Sequence, residues 1–194
     1  MKQRLLTLIL AIAALAGVAQ MSNVAVKTNL LYDATASPNL GVEWGFAPKW
    51  SADISGNFND WAIKDHLWKH WFVQPEIRYW FCERFSGHFL AAHAIAGEYN
   101  WGNWGSHTFN FLGNDFDELQ TRRHQGWGAG LGIGYGYTHM LSRHWSIEGE
   151  IALGWIYTRY DVYPCASCGR KIRENAVHNY VGPTKAAINI IYVF

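Results

Sequence analysis

Gly126, Gly128, Gly130, Gly132, Gly134 and Gly136 occupy alternate positions, and Trp127, Ala129, Leu131, Ile133 and Tyr135 fill the gaps. Side chains on a β-strand alternate faces with period two. One face of this segment is therefore bare backbone and the other is apolar and aromatic. A soluble strand with one wet face would carry Thr, Lys or Glu there. Bare glycine instead predicts a crowded interior into which bulky neighbours project, with the greasy face turned outward. A small closed barrel sitting in lipid has that inverted polarity.

The first residues read as a secretory signal. Lys2 and Arg4 form a basic start, and Leu5 to Val18 is an apolar run broken only by Thr7 and Gly17. Gly17-Val18-Ala19 supplies a small-x-small cleavage site before Gln20. The run is too short for a membrane-spanning helix, and no Cys follows it to start a lipoprotein. The expected division is a signal peptide over residues 1–19 and a barrel domain over residues 20–194. The formal charge is +1, so nothing is basic enough to imply nucleic acid. Mean hydropathy is −0.12 and no later apolar stretch approaches a helical span. Transmembrane barrels escape such scans because lumen residues dilute the lipid-facing ones. Aromatic residues make up 16% of the chain, eleven of them Trp, and lipid-interface girdles use Trp and Tyr in that way.

Eight alternating segments are separated by turn signals. They are expected at about 24–33, 39–46, 50–58, 70–81, 88–100, 126–137, 145–160 and 180–194. Turns after the second, fourth and sixth are short (47–49, 82–87, 138–144). Loops after the third, fifth and seventh are longer (59–69, 101–123, 161–179). Outer-membrane barrels have an even strand number, short periplasmic turns and longer outer loops. Pro75 falls in mid-strand and lacks a ladder donor, so a bulge is expected there. The chain ends in a strand on an aromatic residue, and Phe194 fits the signal by which the barrel-assembly machinery recognises its clients.

Charge placement decides between inside and outside. Lys27, Glu43, Asp53, Glu76, Arg78, Glu148, Glu150 and Lys185 all take the polar phase of their strands. On a lipid face at mid-depth a Lys or Arg costs roughly 2–4 kcal/mol. Inside an eight-stranded barrel, side chains fill the bore and opposite charges pair. A soluble lipocalin-like periplasmic barrel would reverse the two faces, and alternation alone does not distinguish them. The signal peptide, the aromatic excess and the terminal Phe favour an all-β, eight-stranded, up-and-down transmembrane barrel with a filled interior, located as a monomer in a bacterial outer membrane.

Several blocks resemble the bacterial family catalogued as domain of unknown function 3575. They are Lys27-Thr-Asn-Leu-Leu-Tyr-Asp33, Pro38-Asn-Leu-Gly-Val-Glu43, Gln74-Pro-Glu-Ile-Arg-Tyr-Trp80 and Gly182-Pro-Thr-Lys185, joined by Gln125-Gly-Trp-Gly and the glycine-alternating strand. The resemblance covers nearly all of the chain after the signal. It implies a small outer-membrane barrel of Gram-negative anaerobes, often encoded near fimbrial components, and supplies no agreed activity. A surface or fimbrial protein is the partner it implies, beside outer-membrane lipid.

The remaining candidates are weighed against blander roles. Cys165 and Cys168 have the spacing of a redox dithiol, half a zinc site or a local disulfide. In an exported chain a loop disulfide is the default. Cys82 has no evident partner and is expected to be a buried or interface thiol. Glu148 with Glu150, and Glu76 beside Arg78, could serve acid–base work, but a lumen ion network accounts for them. His144 and Ser146 are expected to share a strand face with Glu148, which would give the nucleophile, base and orienter of a lipid-modifying enzyme. That site would lie at the periplasmic end of the lumen, where lipid chains reach poorly. Trp101, Trp104, Phe109, Phe111 and Phe116 form an aromatic loop suited to a binding patch, a mouth cap or a headgroup anchor. No residue pattern implies a cofactor or metal, because the glycines precede no helix and cradle no phosphate. A structural or interaction role, in surface adhesion or fimbrial association, leads over a lipid-modifying enzyme and a small-solute channel.

Overall fold

Alternating sequence becomes strand throughout the computed structural model, which describes residues 23–63, 66–102, 119 and 121–194. The expected signal peptide lies outside the described residues. The strands are β1 (Val24–Asn29), β2 (Asn39–Ala47), β3 (Trp50–Ile63), β4 (His66–Trp80), β5 (Gly87–Gly102), β6 (Arg123–Met140), β7 (Trp145–Tyr163) and β8 (Arg173–Val193). Each pairs antiparallel with the next, and β8 returns to β1 from Ala25↔Val193 to Asn29↔Asn189. The sheet is thus a closed barrel with no free edge.

Three local expectations are corrected. The first segment is not one strand to residue 33, because Asn29 caps a short helix, α1 (Leu30–Ala34), by accepting a hydrogen bond from the Leu31 N–H at 3.1 Å. Pro75 makes no bulge. Its pairing with β3 is regular, and the β4–β5 ladder omits Gln74 and Pro75 but resumes in the same register. A register shift falls instead beside another proline, where Ala152 pairs with Lys185 but Leu153 pairs with Pro183. Thr184 is the extra residue, and it reverses the phase of β8. Even positions up to Thr184 face inward, as do odd positions from Lys185 to Ile191. Finally, the outer loops 59–69 and 161–179 are largely strand, since β3 runs to Ile63 and β7 and β8 span Trp145–Tyr163 and Arg173–Val193.

The outward face is apolar across a continuous belt. Ile133 is 73% exposed, Leu131 64% and Val181 60%. On β6 the belt runs from Trp127 to Tyr137, which at ~3.3 Å per residue and ~40° tilt spans roughly 25 Å. Aromatic residues gather at both borders. Trp44, Phe46, Trp50, Tyr79, Phe81, Tyr137 and Trp145 lie beside the short turns, and Phe58, Trp71, Trp127 and Trp155 lie toward the other end. No described outward position between these borders carries Asp, Glu, Lys or Arg. Charge returns to the outward face at the far border itself, where Glu98 pairs with Trp71 and Trp127, and beyond it at Asp60, Lys69 and Arg159.

The interior is layered. Nearest the short turns, Ala25, Trp80, Phe85, Phe89, Ala91 and Ile191 form a small apolar plug. Trp80 and Phe89 pack at 4.7 Å between ring centroids. Above the plug lie the charges. The expected filling of the bore stops there, because a cavity of about 350 Å³ remains within the outer halves of β4–β8.

Candidate functional site

Arg78 on β4 is the hub of the charged layer and is fully buried. Its Nε donates to Glu76 Oε1 at 2.5 Å, and Nη1 donates to Glu43 Oε2 at 3.0 Å. Nη1 and Nη2 form a bidentate pair with Glu148 at 2.8 and 3.1 Å, and Nη2 also reaches Glu150 Oε2 at 2.8 Å. One planar fork therefore ties β2, β4 and β7 together across the bore, a geometry a lysine could not reproduce. Lys27 pairs with Glu43 at 2.7 Å and Asp53 at 2.9 Å. Lys185 pairs with Glu76 at 2.7 Å and Glu150 at 2.9 Å. All eight charged residues read from the sequence as one lumen set are thus brought into a single network.

Strand register explains the assembly. Glu43 lies opposite Asp53, Asp53 opposite Glu76, Glu76 opposite His93, and His93 opposite Gly132. The acidic residues of β2, β3 and β4 form one row, and the row ends on bare backbone. A Cβ on Gly132 would lie 2.6 Å from the His93 ring and from Thr184 Oγ1. One on Gly136 would collide with Phe89. The glycines on β6 leave the space that bulky groups from neighbouring strands occupy.

Neutral side chains extend the network, and their place in it escaped the sequence reading. Ser51 donates to Glu43 Oε1 at 2.5 Å, Thr138 to Glu148 Oε2 at 2.8 Å and Asn189 to Glu148 Oε1 at 2.8 Å. Trp80 Nε1 holds Ser51 at 2.8 Å, linking the apolar plug to the charges. Their only signal was an inward phase shared with the charged residues. Three cations face five carboxylates, so these hydroxyls and amides supply hydrogen bonds that the cations do not. A buried network of this kind sets register more than it adds stability, whereas removing one member leaves an unpaired charge costing about 3–5 kcal/mol.

Other candidates are distributed elsewhere. Cys165 and Cys168 form a disulfide in the β7–β8 loop, Sγ–Sγ 2.00 Å. Arg123 clamps that loop to the start of β6 by donating to the Ala166 and Cys168 carbonyls at 3.0 and 3.1 Å, and it stacks on Tyr163. Cys82 is exposed in the β4–β5 turn rather than buried, while Phe85 of the same turn packs into the plug. His144 and Ser146 do not share a face. The His144 ring stacks outside on Tyr192, and Nδ1 lies 2.9 Å from the Val193 carbonyl. Ser146 is buried inside. The strand starts only at Trp145, so the turn geometry, not the strand period, orients His144. Trp101 is the penultimate residue of β5 and stacks on Trp68 at 5.4 Å. Trp104, Phe109, Phe111 and Phe116 lie outside the described residues. Phe194 extends the β8–β1 pairing, its N–H donating to the Val24 carbonyl at 3.1 Å, with its ring against Tyr192. Among the described residues no group of three His, Cys, Asp or Glu is placed to hold a metal.

Fold and site together define a class: closed eight-stranded antiparallel barrels with an apolar outer belt and a charged, plugged bore. Within it, a family model described as "Protein of unknown function (DUF3575)" matches residues 5–194, and the chain belongs to that family. No curated protein and no solved structure matches the chain.

Proposed function

We propose that the protein is a monomeric, non-enzymatic β-barrel of the bacterial outer membrane with a structural or interaction role at the cell surface. The inverted polarity of the sheet carries this reading. A belt roughly 25 Å tall without a described charge faces outward, while five carboxylates and three cations are buried within. In water that distribution would expose a large continuous apolar surface, which monomeric soluble proteins avoid. In hydrocarbon the same surface is at home, and aromatic borders match the girdles of membrane barrels. Outer-membrane lipid and the barrel-assembly machinery are its proposed partners. Association with adhesion or a fimbrial apparatus rests on the family resemblance alone.

Density-gradient fractionation of cells, followed by electrophoresis with and without boiling, tests the location. The expected result is recovery with outer-membrane markers and a heat-dependent mobility shift, since small membrane barrels stay folded in detergent. Recovery in the soluble periplasm without a shift would overturn it. Co-purification with a fimbrial subunit from the same membranes tests the interaction role. Its absence under cross-linking would remove the fimbrial part.

A further inference from the structure

The outer half of the bore holds the cavity of about 350 Å³, a volume in the range of small-molecule sites. Its walls are mostly aromatic and aliphatic, including Phe72, Ile95, Tyr99, Trp101, Ile156 and Tyr160. The rings are mutually packed, with Tyr99 on Trp101 at 4.9 Å and His124 on Tyr160 at 4.9 Å. Gly128 leaves one wall bare, and a Cβ there would already press on Thr158 at 3.1 Å and Ile156 at 3.4 Å. Lower on β6, at Gly132 and Gly136, neighbours fill the same kind of space. Here they do not.

The lining restricts the occupant. None of the described lining residues is Asp, Glu, Lys or Arg, so a charged ligand would lose its hydration without a counter-charge. Among the described lining residues there is no carboxylate or amide side chain to satisfy the many hydroxyls of a sugar. Among the described lining residues the polar groups are Thr158, the tyrosine hydroxyls, the Trp101 indole N–H and the imidazoles of His124 and His178. Tyr180 is held in place by donating to the Pro183 carbonyl at 3.1 Å. Trp101, His124, Tyr160 and His178 are only partly buried, so solvent reaches the walls. Below, the charged layer and apolar plug close the bore.

We infer that the outer half of the barrel is a binding cup for a small, uncharged, flat aromatic molecule carrying at most a few hydroxyl or carbonyl groups. At interior packing density the volume suits roughly 15 non-hydrogen atoms. Offset or edge contacts with the wall rings supply affinity, and the sparse polar groups orient the ligand. The inference concerns the interior and is independent of the surface role.

The test titrates N-phenyl-1-naphthylamine into the full chain in lipid nanodiscs, subtracting the signal of empty nanodiscs. Saturable one-to-one binding is expected. Ile156→Trp, which fills the cavity, should weaken it at least tenfold while leaving the heat-dependent gel shift intact. Ile95→Phe fills the cavity from β5, on the other side of Gly130, and is judged by the same criterion if Ile156→Trp does not fold. The anionic 8-anilinonaphthalene-1-sulfonate should bind at least tenfold more weakly than the neutral probe. A signal no greater than empty nanodiscs, undiminished binding in a folded cavity-filling variant, or equal binding of the anionic probe would each overturn the inference.

Discussion

Arg78 shows how much one side chain can organise. It meets four carboxylates from three strands, and its guanidinium lies 4.4 Å from the centre of the Phe89 ring. Arg78→Met should lower unfolding stability by about 3–5 kcal/mol, read as an earlier urea midpoint in tryptophan fluorescence. A change under 1 kcal/mol would mean the carboxylates are satisfied without it. Gly132→Val drives two methyls at His93 and Thr184 and should cost about 1–3 kcal/mol. At the outer rim, Asp161 accepts from the Asn175 backbone N–H at 2.9 Å and pairs with Lys171 at 2.9 Å. The Asn175 hydrogen bond, then Lys171, holds its carboxyl below the ordinary aspartate value. A depressed carboxyl favours the folded hairpin above the unfolded aspartate value, and that support fades as pH falls through the folded one. NMR titration should place Asp161 below a free aspartate, and Lys171→Ala should move it upward. The eight charges were legible in the sequence because charge on a strand phase is unambiguous. Ser51 takes the same polar phase as Asp53, but the carboxylates that Ser51, Thr138 and Asn189 hold were not legible, since those pairings depend on how the strands meet across the bore.

Strand ends and irregularities were the least legible elements. Within the belt one face is apolar and the other lines a polar bore, so alternation is strong. Beyond the outer border apolar residues such as Trp61, Val162, Tyr163 and Val177 no longer keep to one face, and β3, β7 and β8 continue without a period to betray them. The two prolines show the same limit. Pro75 interrupts a ladder without shifting register, whereas the shift beside Pro183 reverses the phase of β8. The cap at Asn29 was hidden because Asn suits a strand end as readily as a helix start. Depth along one strand gives a direct check of the belt. Leu131→Arg, at mid-belt on β6, should cost roughly 2–4 kcal/mol in lipid. Gln125→Arg lies on the same face of β6 beyond Trp127 and should cost less than about 1 kcal/mol. Equal costs would place the belt wrongly.

At the scale of the molecule, architecture followed from the sequence and the cup did not. Polarity and loop spacing specify eight strands, but a void depends on which neighbours fail to fill the glycine face, and that requires register. A bore closed by the Trp80–Phe89 plug and the Arg78 layer should pass no ions, so planar bilayers carrying the protein should show no conductance steps. Regular steps would require an open path through that layer. All of these rest on which face of the sheet meets hydrocarbon. A nitroxide attached at Ile133→Cys, in a Cys82→Ser background reconstituted in lipid vesicles, measures this through relaxation by oxygen and by a water-soluble nickel chelate. Oxygen should dominate at this site, as for a probe within the acyl chains. Dominant relaxation by the nickel chelate would place Ile133 in water and contradict the account.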